Sequence, residues 1–429
     1  MEKILFPNKE TWEQLTKRPI AEKAMLQELV GNVFTEIKND GDKAVLKYSK
    51  SFDKIDMKTL AVTDVEIKEA GNFLSTELKN AIQVAKENIE KFHTAQVEKS
   101  TMIETTTGVF CWRESRAIER VGIYIPGGSA PLFSTVLMLG IPAKLAGCKE
   151  IILCSPPDAD GKINPAILYT AALVGITSVF CVGGIQAIAA MTFGTETIPS
   201  VYKIFGPGNQ YVTAAKQFAQ NFGVAIDMPA GPSEVLVIAD ASAEPTFLAS
   251  DLLSQAEHGA DSQVILLATD EQILNNTLLA LETQLNVLPR KDISAKALQN
   301  SKAILLKDVN DCISFSNSYA PEHLIMAVEN AKELSAEITN AGSIFLGNYS
   351  CESVGDYASG TNHTLPTNGY ARNYSGVSLD SFVKKITMQQ VTAEGIKNIG
   401  PSVELMADAE GLQAHKNAVT VRLESVNEN

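Results

Sequence analysis

The sequence has 429 residues, of which 45% are hydrophobic and 20% are charged, as in an ordinary globular enzyme. At about 100–200 residues per domain, this length predicts two to four domains. The net charge of −14 is spread along the chain without a basic stripe, which argues against nucleic acid as a partner. The N-terminus carries charges at positions 2, 3, 9 and 10 and lacks a long apolar core, so no secretory signal is predicted.

The first hundred residues are charged and place apolar residues three and four apart, which predicts helices. From about Val121, short apolar runs that end in Gly or Pro alternate with helix-length segments, and a second such series follows from Ser233. Strands that alternate with helices predict parallel sheets. We therefore expect an α/β protein with two doubly wound Rossmann-like domains, a helical N-terminal extension and a short C-terminal one. The predicted parts are 1–118, 119–232, 233–378 and 379–429.

Two charge-free runs, Val121–Ala143 and Ile163–Thr195, are long enough to cross a membrane. Both are interrupted by Gly and Pro, which is typical of buried strands and their covering helices. We therefore predict no membrane partner.

The six cysteines show no CxxC spacing, and several lie in apolar strand-like segments. Free cysteine is among the most buried residue types. We expect buried thiols in a reducing compartment, the cytoplasm.

Glycine-rich turns follow three of the predicted strands, at 126–131, 181–187 and 206–208. The turn Gly206-Pro207-Gly208 precedes a helix, but Tyr211 replaces the third glycine of a dinucleotide fingerprint. Asp227 lies at about the spacing of the acid that would bind a ribose, although one acid at that distance is common. Ligands of open parallel sheets bind beyond the carboxyl ends of the strands. Together the turns suggest a phosphate-bearing ligand without specifying one.

Four of the five histidines lie beside other chemistry-bearing residues, whereas His93 is predicted to be a solvated residue of a charged helix. Gln255 and His258 are three apart and share one helix face. Glu322 and His323 are adjacent before a strand, where they could divide acid and base work or form a polar turn. The remaining two histidines accompany carboxylates: His363 follows Asp356 in a Gly/Ser/Asn-rich loop, and His415 follows Glu410.

Nitrogen and oxygen ligands of this kind are usual in zinc sites, where a catalytic ion keeps one position open. A four-ligand set could come from Gln255, His258, Asp356 and His415. The spacing alone does not show that these four side chains converge.

Several segments together resemble the histidinol dehydrogenase family. They are VGIYIPGGSAPLFSTVLMLGIPAKLAGC, KIFGPGNQYVTAAK, DMPAGPSEVLVIAD, ASDLLSQAEHG, YAPEHLI, AGSIFLG, GDYASGTNHTLPT and AHKNAVTVR. The resemblance covers about Val121 to Arg422 and is looser across the N-terminal helices. Runs of ten or more residues in the family order are far more specific than one glycine-rich loop.

The resemblance implies NAD and Zn²⁺ as cofactors and assigns roles to individual residues. Glu322 and His323 would be the catalytic acid/base pair. The other implied roles are zinc binding by Gln255, His258, Asp356 and His415, substrate binding by Ser233, Glu410, His323 and the zinc ligands, and NAD binding by Tyr124, Gln186 and Asn209. The family is a homodimer whose C-terminal segment reaches the neighbouring site, so Glu410 and His415 would come from the partner subunit. His363 is left open between a supporting role and a substrate contact.

The implied reaction is the four-electron oxidation of L-histidinol to L-histidine through the aldehyde, with two NAD⁺ as acceptors. The 119–232 part would bind NAD, and the 233–378 part would hold the zinc and catalytic residues. His323 would take the hydroxyl proton, and Glu322 would activate the water that attacks the aldehyde.

Two other interpretations remain open from the residues. An enzyme resembling aldehyde dehydrogenases would form a thiohemiacetal on an activated cysteine, Cys154 or Cys111. A binding or sensor module would close two lobes on a small ligand, with Glu322 and His323 as ligand or hinge contacts.

Overall fold

The computed structural model describes residues 1–18, 23–127, 131–176, 178–229 and 231–427. The chain divides into two compact units. The first unit combines Met1–Ala95 with Ile118–Phe382, and the second combines Gln96–Ala117 with Val383–Asn429.

The strands alternate with helices through most of the chain. The strands are β1 (Glu2–Leu5), β2 (Ile103–Thr106), β3 (Val109–Ala117), β4 (Arg120–Tyr124), β5 (Glu150–Ser155), β6 (Ser178–Cys181), β7 (Lys203–Phe205), β8 (Ala225–Ile226), β9 (Glu234–Ala239), β10 (Gln263–Ala268), β11 (Lys302–Leu305), β12 (His323–Ala327), β13 (Ser343–Leu346) and β14 (Val383–Val391). The helices are α1 (Trp12–Leu15), α2 (Lys23–Phe52), α3 (Asp64–Glu69), α4 (Thr76–Thr94), α5 (Phe133–Ala146), α6 (Pro165–Leu173), α7 (Gly184–Phe193), α8 (Gln210–Ala219), α9 (Pro245–Ala256), α10 (Glu271–Leu285), α11 (Lys291–Gln299), α12 (Val309–Tyr319), α13 (Ala331–Leu334), α14 (Glu352–Tyr357), α15 (Ala393–Ala409) and α16 (Gln413–Asn427).

One parallel sheet of the first unit has the strand order β6-β5-β4-β7-β8. Successive side chains of β5 pack in two different hydrophobic cores. Leu153 packs with residues of α4, α5 and α6, whereas Ile152 and Cys154 pack with residues of α2, α7 and α8. This alternation follows from the two-residue period of a strand. The N-terminal helices thus cover both faces of the sheet that follows them.

The other parallel sheet of this unit has the order β1-β11-β10-β9-β12-β13. Its chain-order strands β9 to β13 repeat the topology of the first sheet, and β1 pairs in parallel with β11 at one edge. Val235 and Val237 pack with α9, while Leu236 and Ile238 pack with α12. The two sheets confirm the predicted α/β class with two doubly wound Rossmann-like folds.

The second unit contains an antiparallel sheet with the order β14-β3-β2, together with α15 and α16. The segment HKNAVTVRLESV, which by sequence could be a strand or a helix, lies in α16. The region 1–118, which was predicted to be helical, contains the strands β1, β2 and β3 as well as helices. The three boundaries between the four predicted parts stay predictions.

The charge-free run Val121–Ala143 contains β4 and α5, and Ile163–Thr195 contains α6, β6 and α7. Among the described residues, no helix combines the length and the apolarity that crossing a bilayer needs. All six cysteines are free thiols, and Cys148, Cys154, Cys181 and Cys312 are buried as predicted.

The prediction of a solvated His93 is wrong, because the side chain is fully buried. Its Nδ1 donates to the carbonyl of Ile89 at 2.8 Å, and Nε2 lies 3.4 Å from the amide nitrogen of Asn362. Nε2 can accept from that amide only when the ring is neutral. Burial lowers the pKa of His93 below its usual value. Charged neighbours on α4 hid this position from sequence analysis.

Because the pKa of His93 is lowered by folding, the free energy of unfolding is expected to depend on pH. Above the unfolded pKa of about 6.5 both states are neutral, and below it the unfolded state binds the proton first. We expect wild-type protein to lose more free energy of unfolding than His93→Gln as the pH falls below about 6.5, by up to about 1.4 kcal/mol per pH unit. Urea unfolding of both proteins at several pH values measures the difference. Parallel pH profiles would contradict the neutral, buried histidine.

Candidate functional site

A cavity of about 480 Å³ lies in the first unit between the two parallel sheets. Tyr124 and the Gly206-Pro207-Gly208 turn line it from the carboxyl ends of β4 and β7. Ser233 and Glu322 line it from the amino ends of β9 and β12. Only the first sheet therefore presents the carboxyl ends of its strands to this cavity.

Glu322 lines this cavity, and both Glu322 and the adjacent His323 are buried. Glu322 accepts a hydrogen bond from the backbone nitrogen of Glu234 at 2.9 Å. Nδ1 of His323 lies 3.2 Å from the carbonyl of Glu234 and 3.0 Å from the side-chain nitrogen of Gln255. These contacts hold one side of the imidazole, while Nε2 has no hydrogen-bond partner and lies 3.5 Å from Asp356.

The two groups titrate far from their ordinary ranges. Burial raises the pKa of the Glu322 carboxyl to about 8. Burial alone would lower the pKa of His323, but Glu352, Glu322 and Asp356 surround the ring with negative charge and raise its pKa to about 10. A cation bound by these carboxylates would remove part of that field and lower both pKa values.

Helix α9 carries Gln255 in its last turn and is followed by His258. Gln255 is buried in the last turn, and its amide nitrogen donates to the carbonyl of Glu234 at 3.0 Å. His258 follows the end of the helix and is exposed toward the cavity, where desolvation lowers its pKa. The prediction that both residues share one helix face is therefore wrong, because α9 ends at Ala256, two residues before His258.

Helix α14 adds two carboxylates to the cluster. Ligand atoms of His258, Glu352 and Asp356 lie within 4.8 Å of one another. Glu352 Oε2, Asp356 Oδ1 and His323 Nε2 are buried without a hydrogen-bond partner. Such atoms are costly to desolvate unless a cation or proton satisfies them. The donor set of carboxylate oxygens and imidazole nitrogen fits Zn²⁺.

Both ring nitrogens of His363 are used within the protein. Nδ1 donates to the carbonyl of Asp356 at 2.8 Å, and Nε2 lies 3.0 Å from the hydroxyl of Thr135. The histidine also lines the cavity. These contacts favour a supporting role, because they position the backbone of Asp356.

A neighbouring cavity of about 620 Å³ shares Tyr124, Gly127 and Asn209 with the first. The hydroxyl of Tyr124 accepts from the backbone nitrogen of Gly184 at 3.1 Å, and Asn209 caps the N-terminus of α8. Gln186 is fully buried and donates to Asp53, which lines the cavity, at 3.0 Å. The three residues predicted to bind NAD thus lie at or behind one wall.

The turn Gly206-Pro207-Gly208 forms part of the first cavity. Gly206 has φ +130°, and a Cβ there would lie 2.1 Å from the carbonyl oxygen of Tyr124. Asp227 accepts from the backbone nitrogen of Gly206 at 2.8 Å and pairs with the buried Lys216. Asp227 therefore braces the turn, and its carboxylate is not free in the way that a ribose-binding acid would be.

Comparisons with known proteins identify the family. A family model described as histidinol dehydrogenase matches residues 16–423. The chain belongs to the histidinol dehydrogenase family. It is 57% identical over 426 residues to the histidinol dehydrogenase of Bacteroides thetaiotaomicron, covering 99% of this chain and 100% of that one. The corresponding protein of Mannheimia succiniciproducens is 53% identical over 416 residues, with 96% of each chain covered.

Solved structures agree with this family assignment. The crystal structure of histidinol dehydrogenase from Elizabethkingia anophelis is 65% identical, with a TM-score of 0.98 over 100% of this chain and 99% of that chain. An acetylating aldehyde dehydrogenase from Geobacillus thermoglucosidasius has a TM-score of 0.51 at 14% identity, covering 89% and 94% of the two chains. This second likeness is one of fold alone.

The two C-terminal residues that the family resemblance places in the site lie in the second unit. Glu410 directly follows α15 and His415 lies in α16, and both are exposed. Their roles stay predictions, as do those of the other site residues. Sequence analysis missed Glu352, Asp53 and Thr135. Only Glu352 carried a signal, since it precedes Asp356 by four residues, the spacing of one helix face.

The cysteine alternative that the sequence leaves open can be judged from the surroundings of Cys154. Cys154 is fully buried, and desolvation raises the pKa of its thiol far above the ordinary value. A nucleophilic thiol needs a lowered pKa and access to substrate. We expect Cys154→Ala to keep turnover within about twofold of wild type, because no thiolate forms there. Steady-state assays of Cys154→Ala and Cys111→Ala check this, and a loss of several orders of magnitude would support a covalent thiol intermediate.

Proposed function

We propose that this member of the histidinol dehydrogenase family oxidises L-histidinol to L-histidine through the aldehyde, in the last steps of histidine biosynthesis. The observation that carries the proposal is the cluster of unpartnered buried atoms on His323, Glu352 and Asp356 beside the first cavity. The shared wall at Tyr124 and Asn209 supports a nucleotide in the neighbouring cavity. Family membership supports the choice of substrate.

Two groups would complete the site. Zn²⁺ would be held by Gln255, His258, Asp356 and His415 and would supply a fixed positive charge that orients the substrate. NAD⁺, as co-substrate, accepts the hydride in each of two oxidations. The carboxyl ends of β4 and β7 flank the point where strand order reverses in the first sheet, which is where nucleotides bind in such folds.

The chain's own residues would handle the protons. His323 Nε2 is the free ring nitrogen, so it would accept the hydroxyl proton while the alcohol carbon loses its hydride. Glu322 would then take a proton from water as the water oxygen bonds to the aldehyde carbon. The resulting hydrate anion would lose its hydride to a second NAD⁺ and a proton to His323, which has by then released the first proton to solvent, giving the carboxylate. Ser233, at the cavity wall, would contact the substrate.

The first experiment measures NADH formed per L-histidinol consumed, with and without a zinc chelator. We expect a ratio near two that collapses on chelation and returns with added ZnCl₂. A ratio near one would describe an alcohol dehydrogenase that releases its aldehyde. No NADH formation would contradict the proposed reaction and favour a binding module or another amino alcohol.

We also propose a homodimer with shared sites, in which Glu410 and His415 serve the partner's cavity. Their exposure on the second unit is compatible with that role. Subunit exchange between Glu322→Gln and His415→Asn proteins, each impaired in forming L-histidine, should restore L-histidine formation, because one site of each heterodimer keeps both residues. Failure to recover activity despite demonstrated exchange would argue against shared sites.

A cytoplasmic location is part of the same proposal. Four buried free thiols support a reducing compartment. Fractionation of the producing cells with marker enzymes tests it.

A further inference from the structure

We propose that Arg18 and Glu234 form a clamp that positions Glu322 and His323 for the reaction. The inference rests on the proposed function for the roles of the latter two residues. Arg18 lies between α1 and α2, 216 residues before Glu234, which is the first residue of β9. The family resemblance gives no role to either member of the clamp.

The two side chains of the clamp form a buried ion pair with two contacts. Nη2 of Arg18 donates to Oε2 of Glu234 at 2.9 Å, and Nε pairs with Oε1. The side chains are only 12% and 3% exposed, respectively. Oε1 also accepts from the backbone nitrogen of Asn368 at 2.8 Å. Because a buried charge needs its counter-charge and its hydrogen bonds, these contacts fix the side chain of Glu234 in one position.

The backbone of Glu234 in turn contacts both members of the proposed catalytic pair. Its nitrogen donates to the carboxylate of Glu322 at 2.9 Å, and its carbonyl lies 3.2 Å from Nδ1 of His323. The side chain and the backbone share one Cα, so a shift of the clamped carboxylate would move both contacts. Arg18 therefore acts on the two groups that exchange protons through Glu234, as a positioning residue.

Arg18 also holds the turn that leads from α12 into β12. Its Nη2 donates to the carbonyl of Tyr319 at 2.9 Å, and its guanidinium carbon lies 3.9 Å from the centroid of the Tyr319 ring. The next residue, Ala320, has φ +55°, a left-handed conformation that a residue with a Cβ keeps only when its surroundings hold it. One guanidinium thus joins the start of β9 to the turn that precedes Glu322.

A different role for the ion pair would be to stabilise the fold without influencing the reaction. In that case its loss would lower the melting temperature, and protein that stayed folded would react like wild type. A clamp predicts slower turnover in folded protein, because a displacement of about 1 Å can cost about 10²-fold in rate. The two roles therefore differ in the kinetics of folded variants.

The test compares wild type with the double variant Arg18→Met/Glu234→Gln. Arg18→Met alone would leave the charge of Glu234 buried without a counter-charge, which is strongly destabilising. Glu234→Gln removes that charge and keeps an oxygen that can accept from the backbone nitrogen of Asn368. We expect the folded double variant to contain as much zinc as wild type and to turn over L-histidinol about 10- to 100-fold more slowly.

A second readout is the ratio of NADH to L-histidinol in the presence of an aldehyde trap. Misplacement of Glu322 should slow the attack of water and let more aldehyde escape, so the ratio should fall below two. The KM for NAD⁺ should stay within about twofold, since only contacts of the proton-exchanging groups are changed. Arg18→Lys keeps the positive charge but lacks the planar fork that contacts both carboxylate oxygens. Its turnover should lie between those of wild type and the double variant.

The matched control removes another pair of an arginine and a glutamate. Nε of Arg120 lies 2.8 Å from Glu150, and its Nη1 donates to the carbonyl of Ser200 at 3.0 Å. This pair joins β4 to β5 at their amino ends, and neither residue is among the described residues that line the two cavities. We expect Arg120→Met/Glu150→Gln to keep turnover and the NADH ratio within about twofold of wild type, as for a partly exposed ion pair.

A third readout does not depend on turnover. The chain has five histidines, so their ring signals in ¹H–¹³C NMR spectra can be assigned by single replacements. Loss of the clamp should shift the signals of His323, because its Nδ1 faces the Glu234 carbonyl. The signals of His93, which is buried on α4 against Ile89, should stay in place.

Wild-type kinetics in the folded double variant, or unmoved His323 signals, would overturn the clamp. If the double variant does not fold, Arg18→Lys is judged by the same two criteria. Failure of the proposed function shows differently. Wild-type protein that forms no NADH from L-histidinol would contradict the reaction, and the His323 signals would then decide the positioning role by themselves.

Discussion

Replacement of His323 by Asn is expected to lower turnover of L-histidinol by about 10²- to 10⁴-fold, the usual contribution of a general base. The imidazole is buried, is held on its Nδ1 side by Glu234 and Gln255, and presents Nε2 without a partner. Asn keeps a polar side chain but cannot take a proton near neutral pH. Both oxidations should slow, because each releases a proton from oxygen. Steady-state and single-turnover NADH formation measure the loss.

Two controls separate proton transfer from a general disturbance of the site. Zinc content of His323→Asn should equal that of wild type, since His323 is not among the expected ligands. Added imidazole, which can occupy the space left by the ring, should restore part of the rate. Activity close to wild type in a zinc-loaded His323→Asn protein would remove His323 from the mechanism.

Replacement of Glu322 by Gln is expected to have the second largest effect. Its carboxylate accepts from the Glu234 backbone nitrogen at 2.9 Å, and Gln can keep that contact through its amide oxygen. Loss of the base for water should slow the second oxidation by about 10²- to 10⁴-fold and leave L-histidinol binding nearly intact. In the presence of an aldehyde trap, the ratio of NADH to L-histidinol should fall from near two to near one.

The same variant distinguishes an enzyme from a binding module. In a binding module, Glu322 would be a ligand or hinge contact, so Glu322→Gln would lose affinity for L-histidinol. Calorimetric titration of both proteins measures that affinity. Weakened binding together with an unchanged NADH ratio would contradict the role of Glu322 as the base for water.

Much of the fold could be predicted from the sequence because its signals are local. Short apolar runs bounded by Gly and Pro correctly marked β4, β5, β6 and β7, and Leu153 and Ile152 show why a strand buried on both faces is apolar throughout. The edge strand β1 was missed, since it is four residues long and pairs with β11, about 300 residues away in sequence. No local pattern encodes a partner that distant.

In the candidate site, too, local sequence signals were informative and contacts between distant segments were not predicted. Glu322 and His323 form a local pair whose spacing was informative before the structure was known. Glu352 lay next to a recognised loop but was overlooked, because a glutamate on an amphipathic helix is usually solvated. The prediction for His93 was wrong in the opposite sense, because the residue was expected to be solvated but is buried. Its Nε2 lies 3.4 Å from the amide nitrogen of Asn362, which is far along the chain.

By itself, the sequence determined the α/β class, the glycine turns and, through extended matching segments, the family. Only the tertiary structure decided that Glu322 and His323 lie at the amino end of β12, beside β9, at a cavity that the carboxyl ends of β4 and β7 also line. It also decided that Glu352 joins His258 and Asp356. The physical reason is range: backbone geometry and helix periodicity act over a few residues. Burial and charge clustering instead depend on which distant segments pack together.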